Sequence, residues 1–338
     1  MFNFKNDYSY MACSEVLESL LKYQDECFGV YGLDSHSLHA KELIQKEIGN
    51  KNVDIHFFVG GTITNKTFIS HALRPYEAVI SSSAGHINVH ETGAIESTGH
   101  KVLTVNHVEG KISVKCINEC VLSHTDEHMV LPKMVYISQT TEYGTIYSVL
   151  ELEEIYKYCK ENGLYFFIDG ARIANALALG ISLSDIANNC DAFYIGGTKN
   201  GALLGEALVI CNDKLKESFR YSIKQNGGMY SKGYVAGIQF ETLFNDNLYL
   251  KLALNANECA KYLASELVKR GLKMQLDCVT NQLFPIVDNC LYEKLKETVL
   301  FELWEDLKDC KVIRFVCSYK TKMEEIDLFL QHLDQILN

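Results

Sequence analysis

Two short stretches of this chain place chemically competent residues directly after apolar runs. Asp169-Gly170-Ala171-Arg172 follows residues 164–168, and Gly196-Gly197-Thr198-Lys199-Asn200-Gly201 follows 192–195. Each run has the length and composition of a buried strand. A carboxylate and a lysine at the ends of neighbouring parallel strands would face one crevice. There the Lys199 amine can form a Schiff base while Asp169 keeps a ring nitrogen protonated. That is the chemistry of pyridoxal 5′-phosphate (PLP), whose protonated pyridine draws electrons from a carbanion at the substrate α-carbon.

Taken singly, neither stretch decides anything. Asp-Gly after a strand is ordinary turn chemistry, and a lone lysine reads as a solvated surface group. Gly-Gly-Thr-Lys lacks the four-residue gap between glycines, and the Ser or Thr after Lys, that a Walker loop needs. It is not a G-x-G-x-x-G dinucleotide site either.

Three further segments fall where strands should end. Gly60-Gly61-Thr62-Ile63-Thr64-Asn65 sits at a strand-to-helix junction. Free N–H groups, a helix N-terminus and the Thr62 hydroxyl make a phosphate cradle; a glycine turn capped by Thr62 explains the same residues. Gly85-His86-Ile87-Asn88-Val89-His90-Glu91 offers an aromatic ring that can stack on another, or a satisfied structural histidine. Gln139-Thr140-Thr141-Glu142-Tyr143-Gly144-Thr145 is a polar run after a strand.

The elements that would position these residues alternate. Strands are expected at 54–59, 77–81, 101–105, 133–138, 164–168, 192–195 and 206–211. Helices are expected at 15–28, 37–48 (capped by Ser35 or Ser37), 62–73, 88–96, 114–122 and 150–162. This order predicts an α/β fold with a mostly parallel sheet, and open sheets of that kind bind ligands at their strand ends. After about Phe244 the pattern changes. Helical stretches at 247–270, 292–306 and 322–337 flank strands at 282–287 and 312–317. We expect a large domain over 1–246 and a small α+β domain over 247–338. No repeat, low-complexity segment or Pro-rich linker is present.

Bulk properties narrow the function classes. The chain has 338 residues, near half of them apolar, and a net charge of −11. No basic face or stripe marks a nucleic-acid binder. No apolar stretch reaches membrane-span length, and the N-terminus shows no secretion signal. Twelve cysteines are scattered without a disulfide framework. Cys116 and Cys120 have no matching second pair, so neither zinc nor any other metal is expected. Free thiols in a reducing cytoplasm are the expectation.

The ordered motifs together resemble the threonine aldolase family of PLP enzymes, within the β-eliminating lyases. They are Asn6-Asp7-Tyr8-Ser9, Tyr31-Gly32-Leu33-Asp34, Gly61-Thr62 with Asn65, and His86 to Ala94. Asp169-Gly170-Ala171-Arg172, Thr198-Lys199-Asn200-Gly201-Ala202 and Arg314 complete the set. The resemblance implies a PLP-dependent transferase-like (fold type I) large domain. It implies that Lys199 holds the cofactor, Asp169 faces its ring nitrogen, His86 stacks on the ring, and Gly61 and Thr62 bind the phosphate. Arg172 and Arg314 would hold the substrate carboxylate, since the guanidinium fork meets a carboxylate in two hydrogen bonds. Lys224 and Lys232 would reach the cofactor phosphate of a neighbouring subunit, and Tyr31, a substrate-binding residue, would cross the same interface, in a homodimer or homotetramer. Either Asn6 or Ser9 would meet the substrate carboxylate.

Gly85 and Thr64 stand where the family carries alanine. The implied reaction is retro-aldol cleavage of L-threonine, L-allo-threonine or a related β-hydroxy-α-amino acid to glycine and an aldehyde. His86, His128 or a water would be the base. β-Elimination, racemisation, or cofactor binding without turnover are the alternatives on the same scaffold.

Overall fold

The strands form where runs of apolar residues lack helical spacing. A computed structural model describes residues 1–49 and 52–337; Asn50, Lys51 and Asn338, which the expected domains include, lie outside the described residues. In chain order the strands are β1 (Phe2–Asn3), β2 (Asp54–Phe58), β3 (Glu77–Ser82), β4 (Val102–Val105), β5 (Leu131–Ser138), β6 (Tyr165–Asp169) and β7 (Ala192–Gly196). They continue with β8 (Glu206–Ile210), β9 (Lys273–Met274), β10 (Gln282–Leu283), β11 (Pro285–Asp288), β12 (Val299–Leu300), β13 (Glu302–Asp306) and β14 (Cys310–Val316).

Seven of them make one sheet in the order β2-β8-β7-β6-β5-β3-β4. The five from β7 to β4 run parallel, and β8 is antiparallel to both β7 and β2. Strands β6 and β7 are parallel neighbours, so Asp169 and the turn bearing Lys199 share one end of the sheet. β3, β7 and β8 are buried at every position, which is why they read as continuous apolar runs rather than alternating ones. One face packs Val135, Ile168 and Ile195 under Val16, Ile44 and Leu152. The other packs Tyr136, Phe167 and Tyr194 under Phe68 and Phe219.

Three local expectations are corrected. The helix Ser35–Glu47 is capped by Asp34, not by Ser35 or Ser37: the Asp34 carboxylate accepts from the Ser37 N–H and hydroxyl, satisfying donors a helix start leaves free. The helix expected at 88–96 is a short turn, His86–Val89, and a separate 3-10 turn, Glu96–Thr98. Thr92 and Gly93 interrupt it with φ of 51° and 70°, outside the helical region. The helix expected at 292–306 is Asn289–Lys296 only. Beyond it Glu302, Leu303 and Glu305 pair with β14, whose apolar partners reward an extended chain.

β10, β14, β11, β9 and β13 form an antiparallel second sheet. The helices Leu248–Lys269, Asn289–Lys296 and Met323–Leu337 pack on it around Leu263, Phe315 and Phe329. The division at 246/247 does not isolate this layer. β1 pairs with β12, and Phe4 packs on Phe315 and Phe329. The helix Leu248–Lys269 also puts Tyr249 and Ala253 in the first core and Cys259 onward in the second. The segment between β1 and the helix Ser14–Lys22 therefore passes from one layer to the other. No described helix is long and apolar enough to cross a membrane. Among the described residues no group of His, Cys, Asp and Glu could hold a metal ion.

Candidate active site

Strand β6 ends on Asp169, and its two neighbours each aim a phenol at it. Oδ2 accepts from the Tyr136 hydroxyl on β5 and from Asn65 Nδ2 at 3.0 Å. Oδ1 accepts from the Tyr194 hydroxyl on β7 and from the Ala171 N–H at 3.0 Å. Burial pushes this carboxyl up, but the nearby His86 and the donors from Tyr136, Tyr194 and Ala171 hold it below the usual carboxylate range. The same burial, with the Asp169 charge, drives both phenols well above theirs, so they remain donors. Asp169 is thus a buried, ionised carboxylate, the form that pairs with a cationic ring nitrogen.

Lys199 lies in the turn joining β7 to β8. That turn is fastened from below by Glu206, whose oxygens accept from the Gly197 N–H at 3.1 Å and the Thr198 hydroxyl at 3.0 Å. The Thr198 hydroxyl in turn accepts from the Gly205 N–H at 3.0 Å. A side chain at Gly197 would put its Cβ 2.7 Å from the Gly205 carbonyl, so only glycine lets the two arms approach. Among the described residues the Lys199 ammonium makes no hydrogen bond or ion pair; it lies 5.9 Å from the centre of the Tyr8 ring. Burial and the Arg172 charge push its pKa down, against the pull of Asp7, Asp169 and Glu206. A lysine with a depressed pKa is a lysine activated as a nucleophile. Burial pushes Glu206 itself up to about 8.

A polar chain joins Asp169 to His86. Asn65 donates to Asp169 and, at 2.8 Å, to Glu91 Oε1, which also pairs with His86 Nδ1 at 2.8 Å. The His86 N–H donates to Glu142 at 2.9 Å, and that carboxylate also accepts from Ser138 at 2.7 Å. With Nδ1 engaged by Glu91, Nε2 is the nitrogen left for a ligand.

The two arginines are not equivalent. Arg172 meets the buried Asp7 through two hydrogen bonds and keeps 12% of its own side chain exposed. Arg314 pairs with Glu302, donates to Gln282 at 3.3 Å and lies 5.2 Å from the centre of the Trp304 ring. Its Nε is buried without a hydrogen-bond partner among the described residues. Burial and the nearby Arg172 push its pKa down. Two close guanidinium groups, one with an unmade donor, form a receptor for a carboxylate.

The helix Gly61–Ala72 starts beside this crevice with no side-chain cap. A Cβ on Gly61 would come within 2.9 Å of the Tyr194 hydroxyl, the one that holds Asp169. The Thr62 side chain is exposed in the first turn. Thr64 is buried and donates to the Gly60 carbonyl at 2.8 Å, so its hydroxyl is satisfied locally. An ionised buried carboxylate, a lysine amine with no hydrogen-bond or ion-pair partner among the described residues and an uncapped helix start form a donor set that fits PLP.

The chain does not bring every expected residue here. Tyr31, Lys224 and Lys232 belong to a second cluster. Lys224 Nζ lies 5.2 Å from the centre of the Tyr31 ring, and the Tyr31 N–H donates to Ser231, next to Lys232. His128 sits in an exposed turn ahead of β5, whose far end carries the site, so within one chain it does not meet Asp169. Asn6 accepts from the Ser9 hydroxyl at 2.8 Å and the Tyr8 N–H at 3.0 Å, so these two expected residues bind each other. The roles of Asp7, Tyr136, Tyr194 and Glu206 were not anticipated. The one available signal was a tyrosine inside a buried aliphatic strand, whose hydroxyl demands a partner.

Comparison with known proteins agrees with this geometry. Residues 14–289 match the family model of the β-eliminating lyases. The low specificity L-threonine aldolase of Pseudomonas sp. (strain NCIMB 10558) is 33% identical over 321 residues, 92% of this chain and 90% of that protein. The histidinol-phosphate aminotransferase of Clostridium acetobutylicum has a TM-score of 0.75 at 15% identity, covering 99% of each chain, a likeness of fold alone. The threonine aldolase of Leishmania major superposes with a TM-score of 0.98 at 42% identity, covering all of both chains. Likeness of that extent in sequence and backbone together places this chain in the threonine aldolase family of the β-eliminating lyases.

Proposed function

We propose that the protein is a PLP-dependent aldolase cleaving L-threonine, L-allo-threonine or a related β-hydroxy-α-amino acid to glycine and an aldehyde. The observation that carries this reading is the ionised Asp169, held by Tyr136, Tyr194 and Asn65 beside a lysine with a depressed pKa. Lys199 would carry the cofactor, Asp169 would face its ring nitrogen, His86 would lie against the ring, and Gly61 and Thr62 would take the phosphate. When bound, PLP supplies the electron sink that accepts the charge left at Cα as the Cα–Cβ bond breaks.

The chain's own groups do the rest. Arg172 and Arg314 grip the substrate carboxylate and set the Cα–Cβ bond. On this reading the substrate takes the place of Glu302 on Arg314. Orientation of that kind removes about 7–11 kcal/mol of barrier in the best intramolecular cases. His86 Nε2 takes the β-hydroxyl proton while Glu91 holds the ring by Nδ1; a placed base contributes roughly a hundredfold to ten-thousandfold. His128 has no part in this chain's site. Apart from their own Asp169, Lys224 and Lys232 are read as groups that a second copy receives at its phosphate, and Tyr31 as one that it receives at its substrate, in a homodimer or homotetramer. All twelve cysteines are free, which supports a cytoplasmic setting.

The test is direct. The purified protein should be yellow, and borohydride should bleach it and leave a covalent label on Lys199. Lys199→Ala should release no aldehyde from threonine; full activity in that variant overturns the reading. Pyruvate and ammonia from serine, without glycine and acetaldehyde from threonine, would move the assignment to elimination.

A further inference from the structure

Away from the Asp169 crevice, a cavity of about 30 Å³ lies between the helix Ser35–Glu47, strand β2, the helix Phe219–Gln225 and the turn at 228–233. Lys41, His56, Arg220 and Tyr230 line it, with Tyr31 at its rim. A single water needs roughly 10–15 Å³ on this measure, so the space admits more than one water or an anion of a few atoms.

Two polar groups face this space without a partner among the described residues, and two cations line it without a carboxylate. The Tyr230 hydroxyl and His56 Nε2 are shielded from solvent and make no hydrogen bond among the described residues. Among the described residues neither Lys41 nor Arg220 forms a salt bridge with a carboxylate. Arg220 reaches only the Tyr31 carbonyl, at 3.3 Å, and the Met229 sulfur, at 4.0 Å. Lys41 Nζ lies 5.9 Å from the centre of the Phe57 ring. Burial pushes the Lys41 ammonium down and Arg220 adds to this; Asp34 and Asp54 act in the opposite sense without restoring it. Burial, Lys41, Arg220 and His71 push His56 down to about 3, so its ring is neutral and one nitrogen carries a hydrogen to donate. Buried donors left without acceptors are costly, and folded chains keep such groups where something meets them.

We propose that this cavity binds a small oxyanion of the phosphate class, held by Lys41, Arg220, the His56 Nε2–H and the Tyr230 hydroxyl. The bound anion would steady the segment at Tyr31, whose carbonyl Arg220 already holds and whose φ is 61°. None of the four groups touches Asp169 or Lys199; Tyr31 at the rim is shared with the groups read above as crossing to a second copy, and loading every chain with PLP fills that copy's phosphate position before phosphate is titrated.

The experiment uses the protein loaded with PLP, so that the helix start at Gly61 is already filled. Inorganic phosphate is titrated calorimetrically at constant ionic strength, with chloride as the balancing salt. Saturable binding of one phosphate per chain is expected, with a melting temperature that climbs as phosphate is raised. Lys41→Gln and Tyr230→Phe should each weaken binding at least tenfold. Tyr230→Phe only removes a hydroxyl, so it keeps the test informative if Lys41→Gln fails to fold. Absence of saturable binding overturns the proposal and leaves the cavity to water. Binding untouched by Tyr230→Phe, or equal binding of chloride, overturns it as well.

Discussion

Asp7 and Arg172 lie 165 positions apart and meet in a buried, two-pronged ion pair, with Nε to Oδ2 at 2.7 Å and Nη2 to Oδ1 at 2.9 Å. The carboxylate also accepts from Asn281 of the C-terminal layer at 2.9 Å. One side chain therefore ties the N-terminal segment to both sheets. It also engages the Nε–Nη2 edge of the Arg172 fork and so fixes the plane of the guanidinium. Asp7 positions the arginine without itself being placed to react.

Asp7→Asn should separate positioning from chemistry. Removing one member of a buried pair costs about 3–5 kcal/mol, and Arg172 would lose its fixed orientation. We expect the KM for the amino acid to rise about tenfold to a hundredfold, from a few kcal/mol of lost orientation, with kcat changed less. The pH dependence has a definite sign. Burial pushes the Asp7 carboxyl up, but Arg172, Lys199 and Asn281 together hold it below its unfolded value of 3.8. The stability it contributes is complete above that value and is lost as pH falls through the lower, folded one. Acid unfolding followed by circular dichroism should be less steep below pH 4 in Asp7→Asn than in the parent. An unchanged KM would remove Asp7 from the carboxylate site.

Glu206 behaves in the opposite way. Burial raises it from 4.5 to about 8, against the pull of the Lys199 charge. The folded state therefore holds a proton that the unfolded chain has released across the window between those values. Stability from this group is present below 4.5 and is lost as pH rises through about 8. Glu206→Gln keeps an oxygen for the Gly197 N–H or the Thr198 hydroxyl but cannot ionise. Denaturant titrations of the cofactor-free protein should show the parent losing stability from pH 5 to 8, with the variant much flatter. Because Glu206 keeps its proton up to about pH 8, the acylation rate of Lys199 in this variant should match the parent at pH 7 and exceed it only above pH 8, where the parent's Glu206 is ionised. Parallel stability curves would show that Glu206 is already ionised.

What was legible in the sequence follows a physical division. Asp169 and Lys199 could be read because each stands directly after a run buried on both faces, where glycines mark the strand end. The phenols of Tyr136 and Tyr194 could not, although they hold Asp169 from both sides. In sequence each is one more apolar position, and its role exists only once β5, β6 and β7 lie side by side. Asp7 was hidden for a similar reason, since nothing local indicates a partner 165 residues away. The helix read through 292–306 shows the reverse error. Its first turns carry real helical spacing, but a run such as Glu302-Leu303-Trp304 takes its conformation from Arg314 and Ile313 across the ladder. His128 rests on the family resemblance alone, which does not say at which end of a strand a residue falls.

Tyr194→Phe tests whether the phosphate cradle and the Asp169 carboxylate are one unit. The variant removes a donor to a charged acceptor, a bond worth about 1.5–3 kcal/mol. Asp169 would then titrate closer to the usual range, and kcat should fall about tenfold to a hundredfold. PLP should also dissociate more readily, measured by loss of visible absorbance on dialysis. The same hydroxyl stands 2.9 Å from where a Gly61 Cβ would lie. Gly61→Ala alone should thus push Tyr194 off Asp169 and mimic the tyrosine variant. In the double variant the clash is gone, so the two effects should fall well short of additive, as they do for residues that share a contact. Strictly additive losses in cofactor affinity would mean that the cradle and the carboxylate act separately, and that Gly61 is needed only for the approach of the phosphate.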